Sequence, residues 1–122
     1  MARILLVDDE DAVLRLLEAV LAIDHHEVTT ARDGNLAIAA VTNGTFDLVV
    51  TDLVMPDKEG LETIIEIRRL KPELKIIAMS GGGRGSADDY LEMAAVLGAS
   101  KTLAKPFSSH ELLAAVTEVL AM

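Results

Sequence analysis

The chain has 122 residues, 51% of them hydrophobic, and 11 Lys+Arg against 20 Asp+Glu give a formal charge of −9. This balance excludes intrinsic disorder and suits one domain spanning 1–122, while the acidity, two Phe, one Tyr and absence of Trp argue against direct nucleic-acid binding. Zero cysteines exclude disulfides, thiolate metal sites and a Cys nucleophile, and the longest apolar run, Leu36 to Val41, is far below the ~18 residues of a membrane span, so a cytoplasmic protein with no membrane partner is expected.

In chain order, Arg3–Val7 reads as a first strand, followed by Val13, Leu16, Leu17, Val20 and Leu21 at helical spacing. His26–Ala31 is a more polar strand. Asp33 can cap a second helix carrying Leu36, Ala37, Ala40 and Val41, and Asn43-Gly44 suits a left-handed stop. Phe46–Asp52 is the third strand, and Leu61, Ile64 and Ile65 line a third helix that runs to about Leu70 before Pro72. Leu74–Met79 is the fourth strand. Ser86 with Asp89 forms a capping pattern before Tyr90, Met93, Ala94 and Leu97, and Gly98 can end that helix. Ser100–Ala104 is the fifth strand, and Ser108 with Glu111 repeats the cap before Leu112, Leu113, Val116 and Leu120.

Strands one, three and four are continuously apolar, as strands buried on both faces are, whereas two and five carry polar residues suited to edges. Short right-handed crossovers then favour the order 2-1-3-4-5, a flavodoxin-like (βα)5 doubly wound parallel sheet. In such sheets ligands sit outside the carboxyl ends of the strands, where strands one and three diverge.

The residues at that edge are Asp8 and Asp9 after the first strand, Asp52 ending the third, Ser80 after the fourth and Lys105 after the fifth. Clustered carboxylates repel and raise one another's pKa unless a cation compensates. Mg²⁺ suits so few carboxylates, because it keeps waters and completes its shell with phosphate oxygens. Lys105 supplies a point charge for a phosphoryl oxygen and Ser80 a hydroxyl donor. Together these parts describe phosphoryl transfer to a carboxylate, with Asp52 as nucleophile. Taken singly, each residue is more easily a helix cap or surface charge, and Asp8 or Asp9 could cap the first helix; their joint placement at one edge is not explained that way.

The doublet Asp8-Asp9, the segment Asp52-Leu53-Val54-Met55-Pro56 with Gly60, the pair Ser80-Gly81 and the run Lys105-Pro106-Phe107 resemble a response-regulator receiver domain of two-component signalling, over essentially the whole chain. The resemblance implies Asp52 as phosphoacceptor, Mg²⁺ held by Asp8, Asp9, Asp52 and the Val54 carbonyl, and Ser80, Gly81 and Lys105 around the phosphoryl group. It also implies a cis Lys105-Pro106 bond, a sensor histidine kinase or histidine phosphotransfer protein as donor, and a downstream protein target or output domain. The face made by the fourth helix, fifth strand and fifth helix would change its partners on phosphorylation, including a possible homodimer. Such a switch catalyses its own phosphorylation and dephosphorylation without being an enzyme.

One departure is Thr102, where the family's switch usually has an aromatic residue, and a second oddity is the glycine run from Gly81 to Gly85. That run lacks the Gly-Lys-Ser/Thr of a nucleotide loop, and His25-His26, adjacent on a strand or turn, cannot face one metal. Two rivals are a pseudo-receiver that binds proteins without phosphorylation and an aspartyl-phosphate phosphatase. The latter typically needs a second Asp two residues after the nucleophile, where Val54 stands.

Overall fold

The computed structural model describes residues 2–53, 60–80, 92–95 and 97–122. The expected roles of Val54 and Gly81, the Ser86–Asp89 cap and the glycine run lie outside the described residues. Five strands, β1 (Arg3–Val7), β2 (Glu27–Ala31), β3 (Leu48–Asp52), β4 (Lys75–Ser80) and β5 (Lys101–Ala104), pair in parallel in the order β2-β1-β3-β4-β5. The helices are α1 (Asp11–Ile23), α2 (Gly34–Asn43), α3 (Gly60–Leu70), the helical residues 92–95 as α4, and α5 (Ser109–Leu120).

Side chains alternate across the sheet. Ile4, Leu6, Leu48, Val50, Ile77 and Met79 pack with α1 and α5 on one face. Leu5, Val7, Val49, Ile76 and Ala78 pack with α2, α3 and Ala94 of α4 on the other. The three inner strands are buried on both sides for this reason, whereas Ala31 alone is buried in β2. Each fully buried aliphatic side chain stabilises the fold by about 1.5–3 kcal/mol.

Capping at α2 and α5 follows the sequence. Asp33 Oδ1 accepts the Leu36 N–H at 2.8 Å, and Ser108 and Glu111 exchange two 3.0 Å bonds in a capping box. Gly98 has φ of 120°, as its place at the end of α4 requires. Three expectations are corrected. Gly44 ends α2 in extended backbone (φ −138°), so the stop does not need a left-handed residue. Neither Asp8 nor Asp9 caps α1: Glu10 is the N-cap, without a side-chain bond, and Asp8 Oδ1 instead accepts the Glu10 N–H at 3.0 Å. Leu16, Leu36 and Ile65 are 63%, 51% and 41% exposed, because the buried stripe of α1 runs through Leu14, Leu17 and Leu21, that of α2 through Ala37 and Val41, and that of α3 through Ile64 and Ile67.

Ladder bonding fixes the frame at the carboxyl edge, and an arginine fixes the opposite edge, where β4 and β5 begin. Ladder bonding continues one step past the strands, with Asp8 N–H to Ala31 O (3.1 Å), Leu53 N–H to Met79 O (2.9 Å) and Lys105 N–H to Ser80 O (2.8 Å). Arg68, near the end of α3, donates to the carbonyls of Pro72, Leu74 and Gly98 at 2.7, 2.6 and 2.6 Å. The Lys105-Pro106 bond is cis.

Candidate functional site

Asp8 and Asp52 leave the ends of the neighbouring strands β1 and β3 with their side chains in the interior, 0% and 6% exposed. Lys105 reaches both: its Nζ lies 3.1 Å from Asp8 Oδ2 and 3.7 Å from Asp52 Oδ1. Asp9 is exposed beside them. Ser80, at the end of β4, is fully buried, and its Oγ is the buried side-chain polar atom without a partner among the described residues. The structure thus brings Asp8, Asp52 and Lys105 into one cluster, with Asp9 on the loop after β1 and Ser80 at the end of β4.

Backbone packing holds Asp52 in place. Gly60 opens α3 directly beneath it, and a Cβ there would stand 2.4 Å from both the Asp52 carbonyl oxygen and Leu53 Cα. The Gly60 N–H donates to Leu53 O at 3.0 Å, and the buried Thr51 hydroxyl donates to the Asp52 carbonyl at 3.0 Å. Only glycine permits this approach of helix to strand end.

Burial acts to lower the pKa of Lys105, but the charge of Asp52, the hydrogen bond and charge of Asp8 and the charge of Glu10 outweigh it, so the pKa is raised. The ammonium therefore stays protonated and is shared by two buried carboxylates. Asp8, Asp9 and Glu10 present oxygens that all lie within 4.8 Å of one another, a hard-donor trio able to hold a divalent ion. Glu10 is a member that the sequence reading did not single out; the unbroken run Asp8-Asp9-Glu10-Asp11 was its signal. The ion pair of Arg32 Nη2 with Asp11 Oδ2, 2.8 Å, was likewise not anticipated, because it joins loops that only the β1–β2 register brings together. Thr102 is half-buried in β5, opposite Ala78 of β4.

The family profile described as the response regulator receiver domain matches residues 4–117, and the chain belongs to this family of two-component phosphoaccepting switches. It is 38% identical over 122 residues to the DNA-binding transcriptional regulator NtrC of Azospirillum brasilense, covering 98% of this chain and 24% of that protein. It is 36% identical to the transcriptional regulatory protein TcrA of Mycobacterium tuberculosis, covering 92% of this chain and 43% of that one. The chain thus spans less than half the length of these two relatives. Among solved structures it resembles the response regulator TrrA of Thermotoga maritima, in complex with Mg²⁺-BeF, with TM-score 0.86, 33% identity and coverage of 98% of this chain and 99% of that one. Receiver domains are in general signalling switches rather than enzymes. Among the described residues no helix is long and apolar enough to cross a membrane.

Proposed function

We propose that the chain, as one domain over 1–122, is a cytoplasmic phosphorelay switch that accepts a phosphoryl group on Asp52 from the phosphohistidine of a sensor kinase or phosphotransfer protein. The observation that carries this reading is the pair of buried carboxylates sharing the Lys105 ammonium at 3.1 and 3.7 Å, at the carboxyl edge of the sheet. In the step, an Asp52 carboxylate oxygen attacks phosphorus while the P–N bond to the donor imidazole breaks. The imidazole nitrogen keeps the electron pair and takes a proton. Lys105 meets charge on the phosphoryl oxygens, and the buried Ser80 hydroxyl, without a partner among the described residues, is a ready donor to another. Hydrolysis reverses the modification: water oxygen attacks phosphorus, and inorganic phosphate leaves.

Asp8, Asp9 and Asp52, with the Val54 carbonyl, are the proposed Mg²⁺ ligands, and Glu10 sits close enough to hold a ligated water. The donor set is all oxygen and strongly negative, which suits this ion. When bound, Mg²⁺ neutralises charge shared by the carboxylates and the phosphoryl oxygens. Met93, 54% exposed on α4, and Thr102 support a partner-binding surface at α4, β5 and α5 that changes with phosphorylation, either for an output domain or target or for a second copy.

Intact mass measured after incubation with acetyl phosphate and Mg²⁺ tests the reading. One phosphoryl group is expected on the wild type and none on Asp52→Asn. An unmodified wild type, or an Asp52→Asn variant labelled to the same extent, overturns it.

A further inference from the structure

We propose that Arg32 is the outer counter-charge of the acidic loop, a positioning residue that keeps the divalent ion at the Asp8–Asp9 end and eases the approach of an anionic phosphoryl donor. This inference rests on the phosphoacceptor reading of the site. Four acids in a row, Asp8, Asp9, Glu10 and Asp11, lead from β1 into α1. A cation is bonded at each end of the run: Lys105 to Asp8 at 3.1 Å, on the inner side, and Arg32 to Asp11 at 2.8 Å, on the outer side. Between them Asp9 and Glu10 are exposed, and among the described residues neither has an ion-pair partner. Two negative charges are left for a divalent ion, and they lie between Asp8 and the paired Asp11.

The sheet puts Arg32 there. Val7 pairs with Ala31, and the Asp8 N–H continues the ladder to Ala31 O at 3.1 Å, so the residue after β2 leaves the sheet beside the residue after β1. The pair is wet, with side chains 67% and 45% exposed, so it adds little to stability. Its consequence is electrostatic. A molecule of charge −9 repels anions, and an unbalanced Asp11 would add a further acid at the mouth of the site while drawing a cation outward.

The test is isothermal titration of Mg²⁺ together with the initial rate of phosphorylation by acetyl phosphate at saturating Mg²⁺, where the Asp52 O–P bond forms and the P–O bond to the departing acetate breaks. Arg32→Gln should bind Mg²⁺ roughly two- to fourfold more tightly at low salt and take up phosphate slower by a similar factor. Asp11→Asn should move both quantities the opposite way, the double variant should return close to wild type, and Arg32→Lys should behave like wild type. The differences should vanish near 1 M salt, where the screening length is about 3 Å. Opposed shifts in affinity and rate are the signature, since a lost structural brace would weaken both. Arg32→Gln that weakens Mg²⁺ binding, shifts both quantities alike, retains its effect in high salt or changes nothing overturns the proposal. Failure of the wild type to bind Mg²⁺ and accept phosphate would instead overturn the underlying reading.

Discussion

Where the strands begin, Arg3 donates its backbone N–H to Asp47 at 2.8 Å, and its guanidinium lies over the Phe46 ring, 5.8 Å from the centroid, within reach of Thr45 and Glu27. Lys75 donates to the Leu120 and Met122 carbonyls at 3.2 and 2.8 Å, supplying a cation to the C-terminal end of α5, which has no basic residue in its last turn. Where the strands end, two buried carboxylates share one ammonium, a buried hydroxyl has no partner among the described residues, and Asp9 and Glu10 stand in water. One edge satisfies its polar groups internally, and the other holds them ready for something else. Substitutions where the strands begin should therefore change stability alone, whereas those where the strands end should change phosphorylation, with or without stability.

The sharpest way to break the comparison is Gly60→Ala. Its Cβ meets backbone that cannot yield, so a loss of roughly 3 kcal/mol or more in urea unfolding is expected, with phosphoryl uptake falling as Asp52 is displaced. Next, Lys105→Met removes the ammonium shared by the buried Asp8 and Asp52 and should cost about 1–3 kcal/mol and abolish rapid phosphorylation. Asp52→Asn should also abolish phosphorylation but raise stability by about 1 kcal/mol, because it relieves the repulsion. Because the Lys105 pKa is raised, its contribution is complete below the ordinary lysine pKa and is lost only as pH climbs through the raised value. The stability gap between wild type and Lys105→Met should thus be flat through neutral pH and close only in strong alkali.

At the opposite edge Lys75→Met should cost about 1 kcal/mol by thermal or urea unfolding and leave the phosphorylation rate unchanged. A changed rate there would dissolve the separation of the two edges. The smallest effect concerns His26, whose Nδ1 accepts the Ala2 N–H at 3.1 Å. Burial, and then the charge of the chain's amino terminus, lower its pKa against the opposing pull of Asp24. Its stabilisation is therefore present above the ordinary histidine pKa and lost as pH falls through the lowered value, a small effect because solvent screens the site. His26→Gln, which accepts without titrating, should flatten that part of the pH–stability curve.

Periodicity carried the sheet because burial on both faces forces β1, β3 and β4 to be apolar throughout, while β2 betrays its edge with Thr29 and Thr30. It placed Asp8, Asp52, Ser80 and Lys105 at one edge, since each closes or follows a strand. It could not place α1 to within a residue, because Leu14 and Leu16 are both apolar and only packing decides that Leu16 faces water. Asp8 misled in a similar way: its carboxylate can bond a nearby backbone N–H in a turn as readily as in a cap, and here it takes Glu10. The Arg32–Asp11 pair, 21 residues apart, and the shared lysine, 97 residues from Asp8, exist only once the strands are in register.

The Arg68 guanidinium sews three carbonyls from two separate chain crossings to α3. The last turn of α4, at Gly98, is moored there by a 2.6 Å bond. One guanidinium therefore splices the approaches to β4 and β5 onto the end of a single helix, so the starts of two neighbouring strands share one anchor.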